Sequence, residues 1–174
     1  MLVLAIVCIL AGISVPVVHA TIEQSRGRGA VRYLAGRLAL ARARAVSRSA
    51  VVALRFEADG QGTAFSVVED GNGNGLSARE VDLGIDRVVE EPVHLSNLYG
   101  GVQIALAPEL PPGDAVQLGG STFLSFSPRG TSSSGSVYVL GADGTQWVVR
   151  VLGVTGRARV LRRLPETGEW VHVF

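Results

Sequence analysis

The alternation of apolar and polar positions divides the chain in two. Residues 1–18, MLVLAIVCILAGISVPVV, carry no charged side chain, and Glu23 is the first formal charge. At 1.5 Å per residue, about 20 helical residues span about 30 Å, the hydrocarbon thickness of a bilayer. Met1, Leu2, Leu4, Ile6, Ile9, Leu10 and Ile13 supply the apolar surface of this run, and Pro16 is tolerated in lipid as a kink. Helical spacing then continues. Val31, Leu34, Leu38, Ala41 and Ala45 fall on one stripe, and Arg28, Arg32, Arg37, Arg44 and Arg48 fall largely on the other. The spacing predicts a single helix of about 50 residues. Its half over residues 1–20 suits a membrane, and its amphipathic half over residues 21–50 needs a partner surface. Gly27, Gly29 and Gly36 are positions where such a helix loosens.

From residue 51 the pattern changes to short β-rich runs separated by Gly, Pro, Asn, Asp and Ser clusters. It predicts strands over 51–56, 64–68, 79–83, 102–106, 123–127, 136–140, 146–154, 157–163 and 169–173. Asp59-Gly60, Asp143-Gly144 and Thr155-Gly156 mark turns, and Asp143-Gly144 between two apolar runs is a hairpin signal. No βαβ alternation occurs, so the sheet is expected to be mostly antiparallel. Its one apolar face would cover the apolar stripe of the helix, an α+β arrangement with a β domain over residues 51–174. Trp147 and Trp170 are expected in the sheet core or at its rim.

Composition narrows the chemistry. Hydrophobic residues are 47% and charged residues 18% of the chain, enough apolar surface to exclude disorder. The single cysteine, Cys8, excludes a disulfide framework and a multi-thiolate zinc site. All 16 basic residues are Arg, which removes Schiff-base chemistry and the P-loop lysine. There is no His-Glu-x-x-His and no Gly-x-Ser-x-Gly; His94 and His172 stand without ligand-spaced partners, and 131–134 is a Thr/Ser loop. Nothing supports catalysis. The net charge of +1 is zoned: residues 21–56 carry +7, residues 57–127 carry −9 and residues 128–174 carry +3. The basic stripe of the helix reads as a solvated face or as a contact for lipid headgroups or polyanions.

An apolar helix running into an amphipathic one and then an antiparallel β domain resembles a type IV pilin-like protein. Residues 1–15 with Pro16 look like the prepilin segment after its methylated start. Glu69-Asp70-Gly71-Asn72-Gly73-Asn74-Gly75 resembles the Asp/Asn/Gly hairpin of GspH/FimT-type minor pseudopilins. Phe126-Ser127-Pro128-Arg129-Gly130, Gly135-Ser136-Val137-Tyr138-Val139 and Gly156-Arg157-Ala158-Arg159-Val160 look like that family's C-terminal half. The resemblance implies a structural subunit of a type II secretion pseudopilus or type IV pilus. Its partners would be other pseudopilins or pilins in a helical filament, the inner-membrane assembly machinery, and the bilayer before assembly. It implies a single-pass inner-membrane location with the β domain in the periplasm, although the charges after the apolar run alone favour the opposite orientation. Family precursors carry a short basic leader ending in Gly and a Glu five residues into the mature chain; Met1 falls where mature residue six or seven would stand.

Two local constellations could add a ligand. Asp70, Asn72 and Asn74, followed by Gly75, have the spacing of the first half of an EF-hand-type calcium loop, with Val81 where its bidentate Glu would stand. The alternative is a turn-forming Gly/Asn loop. Arg157 and Arg159 share one strand face, with Arg162 and Arg163 following. Such a row can grip DNA phosphates, as the resemblance to DNA-binding FimT-like minor pilins suggests, or can guard an edge strand. A third reading makes Val18-His19-Ala20 a signal-cleavage site and the remainder a secreted β-sandwich. The run lacks a positive n-region and the helical pattern passes Ala20, which favours retention.

Overall fold

The computed structural model describes the backbone from Leu2 to Phe174 and the side chains from Thr21 onward. One helix, α1 (Leu2–Arg48), leads into β1 (Val52–Asp59) and β2 (Gly62–Glu69). A short helix, α2 (Ala78–Asp82), β3 (Arg87–His94) and the turn-length α3 (Leu95–Leu98) follow. The chain then forms β4 (Val116–Gln117), β5 (Phe123–Phe126), β6 (Gly135–Leu140), β7 (Gln146–Leu152), β8 (Arg157–Arg163) and β9 (Trp170–His172). The predicted residues Met1, Leu2, Leu4, Ile6, Ile9, Leu10, Ile13 and Pro16 lie outside the described side chains. Among the described residues no helix is long and apolar enough to cross a membrane.

The strands form two antiparallel sheets rather than one. The first has the order β3-β2-β1-β5 and the second β4-β6-β7-β8-β9. The apolar stripe of α1 lies against both. Ala30, Val31, Leu34, Leu38, Ala41 and Ala45 join Leu54, Phe65 and Phe126 of the first sheet and Val137, Val149 and Val160 of the second in one core. Small residues on α1 permit this close approach. A Cβ at Gly27 would sit 3.2 Å from Nε1 of Trp147, and one at Gly29 would sit 2.8 Å from the Tyr99 ring. These glycines are therefore packing positions, and the helix runs unbroken past them. Charge zoning reinforces the seat: Arg37 pairs with Glu90 on β3, and Arg44 with Glu69 on β2. Both pairs are partly exposed, so each contributes about 1 kcal/mol or less.

The long helix and most strands lie where the pattern predicts them, but two predicted strands are absent. Residues 79–83 belong instead to α2. Ser77 caps that helix, its Oγ accepting from the Glu80 N–H at 3.2 Å while donating to the Glu80 carboxylate at 3.3 Å. This is a Ser N-cap, with the Ser77 N–H taken by Asp86 rather than by Glu80, and it overrides the strand-like alternation. The helix presses Val81 onto Ala53 and Val68, on the face of the first sheet away from α1. Residues 102–106 form a loop with one bridge, Gln103 to Leu140. The buried Gln146 amide satisfies that loop, accepting from the Ala107 N–H and donating to the Ala105 carbonyl at 3.2 Å. Conversely, β3 was not predicted. It is an edge strand of sequence RVVEEPVH, with irregular register against β2 and Pro92 at a position an edge tolerates.

Truncating Leu34, fully buried beneath both sheets, to Ala is expected to cost about 2–5 kcal/mol. Leu40→Ala, on the exposed face of the same helix, should stay within about 0.5 kcal/mol. Urea unfolding followed by circular dichroism checks both, and equal losses would contradict this seating of α1.

Candidate functional site

The face of α1 opposite the core is unoccupied by the rest of the chain. Gly36, Leu40, Ala43 and Ser47 recur at spacings of four, three and four residues, which places them on one stripe. All are exposed; Leu40 is 59% and the neighbouring Val46 49% accessible. No atom lies within 4 Å of where a Gly36 Cβ would be. A helix held from behind and smooth in front offers close approach to another helix, because small side chains reduce the interaxial distance.

The predicted arginine row divides across two faces of the second sheet. Side chains alternate along β8, and the register places Arg159 opposite Arg150 and Arg163 opposite Trp170. Arg157, Arg159 and Arg163 therefore belong to the outer face, whereas Arg162 points to the helix side over the Trp147 ring, 5.9 Å from its centroid. Arg150, which sequence reading missed, completes an exposed trio with Arg157 and Arg159. Its position was recoverable: a hairpin closed at Thr155-Gly156 pairs residue 152 with 157, and hence 150 with 159. The same face carries Trp170 edge-on to Tyr138, with ring centroids 5.9 Å apart. The strand β8 lies between β7 and β9, so its arginines do not guard a sheet edge.

The Asp70 loop is not a hairpin; it links β2 to α2. Asp70 is buried, and its carboxylate accepts from the backbone N–H of Asn72 at 3.1 Å, Gly73 at 2.7 Å and Gly75 at 2.9 Å. Asn72 and Asn74 each donate through Nδ2 to Oε1 of Glu80, at 3.1 and 3.0 Å. Asp86, also buried, accepts from the Gly71 and Ser77 N–H groups, both at 3.2 Å. These oxygens organise the loop itself. Among the described residues no three His, Cys, Asp or Glu side chains gather as a metal site.

Two of the other singled-out segments meet at Arg42 on α1. Its Nε donates to the Gly130 carbonyl at 2.8 Å, in the Ser127–Thr131 turn. Gly156 packs against the same carbonyl and the same arginine with φ of 60°, so a side chain there has no room. On the first sheet's hairpin, the Asp59 carboxyl is held below the usual carboxylate range, chiefly because it accepts from the Gln61 N–H at 2.7 Å, with His94 beside it.

The family model described as type II transport protein GspH matches residues 30–155, a span from the buried half of α1 to the turn before β8. No curated protein and no solved structure matches the chain.

Asp70→Asn should lower stability by about 1–3 kcal/mol, because a neutral amide is a weaker acceptor than the buried carboxylate for the three N–H groups it holds. Urea midpoints with and without millimolar calcium test this loop further. A midpoint independent of calcium fits a self-wired loop; a calcium-dependent rise lost in Asp70→Asn assigns Asp70, Asn72 and Asn74 a metal.

Proposed function

The chain belongs to the type II transport protein GspH family, and from that premise we propose that it is a non-catalytic minor pseudopilin that assembles laterally through α1. The observation that carries this reading is the exposed Gly36–Leu40–Ala43–Ser47 stripe on a helix whose other face is fixed in the fold. Before assembly the uncharged segment over residues 1–18 rests in the inner membrane, with the β domain on the periplasmic side. On assembly that segment exchanges lipid contacts for neighbouring helices, and the small stripe continues the contact above the bilayer. The β sheets, held on the opposite side of α1, then face outward. The partners are other pseudopilins and the inner-membrane machinery that extracts them.

Gly36→Leu separates folding from assembly. It replaces the poorer helix former, so monomer stability should rise by about 0.5–1 kcal/mol. Incorporation, read by disulfide cross-linking between Ala39→Cys and Ala43→Cys protomers or to neighbouring pseudopilins, should fall severalfold. Undiminished cross-linking in both Gly36→Leu and Leu40→Glu would refute lateral packing through this stripe.

A second reading, binding of DNA, is favoured by one observation. Arg150 and Arg159 stand directly opposite each other, an arrangement that costs stability in a sheet through like-charge repulsion. With Arg157 they form a cluster able to bind successive phosphates, beside an aromatic pair that could stack on a base. The Arg150→Ala/Arg157→Ala/Arg159→Ala variant should lose salt-dependent retardation of DNA in gels by tenfold or more. Unchanged binding removes this face from consideration.

A further inference from the structure

A cavity of about 450 Å³ lies between the start of the described part of α1 and the β8–β9 hairpin. Its helix wall includes Gln24, Ser25 and Arg28, and its sheet wall includes Trp147, Arg162 and His172. Trp147 is 2% exposed, yet its indole N–H has no hydrogen-bond acceptor among the described residues. That nitrogen carries no accessible surface and packs on α1 at Gly27, so it is sealed from the cavity at a cost of about 1–3 kcal/mol. The indole edge bearing Nε1 faces α1 at Gly27, between Gln24 and Arg28.

Two guanidiniums and no carboxylate line the cavity. Arg28 and Arg162 have no carboxylate partner among the described residues. Guanidinium groups have donors only, five each, in a fork that matches phosphate oxygens. The missing complement is therefore a compact anion with several acceptor oxygens. Position narrows it further. Residues 24–28 follow the end of the apolar half at residue 20 by four to eight residues, or about 6–12 Å of helix. The headgroup layer is about 5–8 Å thick on each side of the hydrocarbon. Gln24 and Ser25 fall within that layer and Arg28 about 4 Å above it, so the rim of the cavity meets lipid phosphates and the Arg28 side chain reaches down to them.

We propose that this cavity is a phosphate-binding site, occupied by the phosphodiester of an anionic phospholipid headgroup or by free phosphate. Arg28 and Arg162 hold the phosphate oxygens from the two walls, beside the Trp147 ring. The lipid source rests on the inner-membrane reading above; the free-phosphate source does not. In either case the ligand ties α1 to β8 and β9 at the end of the domain nearest the apolar segment.

The test uses the full chain in nonionic detergent micelles. The protein has two tryptophans, so Trp170→Phe leaves Trp147 as its only indole reporter. Emission is titrated with inorganic phosphate, with dihexanoyl phosphatidylglycerol and with sodium chloride at matched ionic strength. A saturable change with phosphate or phosphatidylglycerol but not with chloride, weakened tenfold or more by Arg162→Gln, supports the site. Arg28 is exposed, so Arg28→Gln keeps the fold and should weaken the same titration, which covers a poorly folding Arg162 variant. Saturation at tenfold lower phosphatidylglycerol than phosphate identifies the lipid; the reverse order identifies the free ion. No saturable change with either titrant, or a change that survives Arg28→Gln/Arg162→Gln, overturns the proposal. Cross-linking of the Trp170→Phe protein, with both arginines intact, into the pseudopilus is scored separately. Incorporation without titration removes the cavity alone, and titration without incorporation removes the assembly reading alone.

Discussion

Everything in this structure depends on how one helix is shared between two sheets. The stripe from Ala30 to Ala45 is fully covered, with Leu34 at its centre, and neither sheet alone supplies that cover. The fully buried residues of α1 that face the sheets are small or aliphatic, so both sheets approach the helix axis closely. Because a helix has a circumference and this seating uses only part of it, the opposite stripe stays free. The division of α1 into a bound face and a free face thus follows from side-chain size at helical spacing, and it sets which surface can meet another subunit.

Polar side chains then fix what apolar burial leaves undetermined. Arg42 joins the Ser127–Thr131 turn to the Gly156 turn. Gln146 holds the 102–107 loop, and Asp70 with Asp86 holds the loop before α2. In each case a buried or half-buried side chain supplies backbone hydrogen bonds that a regular strand would otherwise make. The loops therefore behave as fixed parts of the fold. The charge zoning of the sequence has the same use: acids of the middle zone anchor two arginines of the helix, while the remaining arginines are left to other surfaces.

Those surfaces lie on different sides of the molecule. The free stripe of α1, the arginine face of the second sheet and the cavity at Trp147 do not overlap, so membership in a helical assembly need not block contact with an anion elsewhere. The cavity sits at the start of the described part of α1, next to the β8–β9 hairpin.

The sequence by itself determined the elements whose signals are local. The long helix, its buried stripe and the hairpins at Asp59, Asp143 and Thr155 follow from residue spacing and turn chemistry within a few positions. Two local signals were missed: the hairpin register that pairs Arg150 with Arg159, and Ser77-Ala78-Arg79-Glu80, whose cap made a helix of a stretch that alternates like a strand. Only the tertiary structure decided the split into two sheets, the edge strand β3, the loop over 102–106 and the facing of the arginines. The choice of which face of the second sheet meets α1 sent Arg162 to the helix side and left Arg150 and Arg159 outside. Gln146 reaches a backbone carbonyl 41 positions away. Such contacts are chosen by which partner buries or satisfies a group at least cost, and no local pattern records where that partner lies.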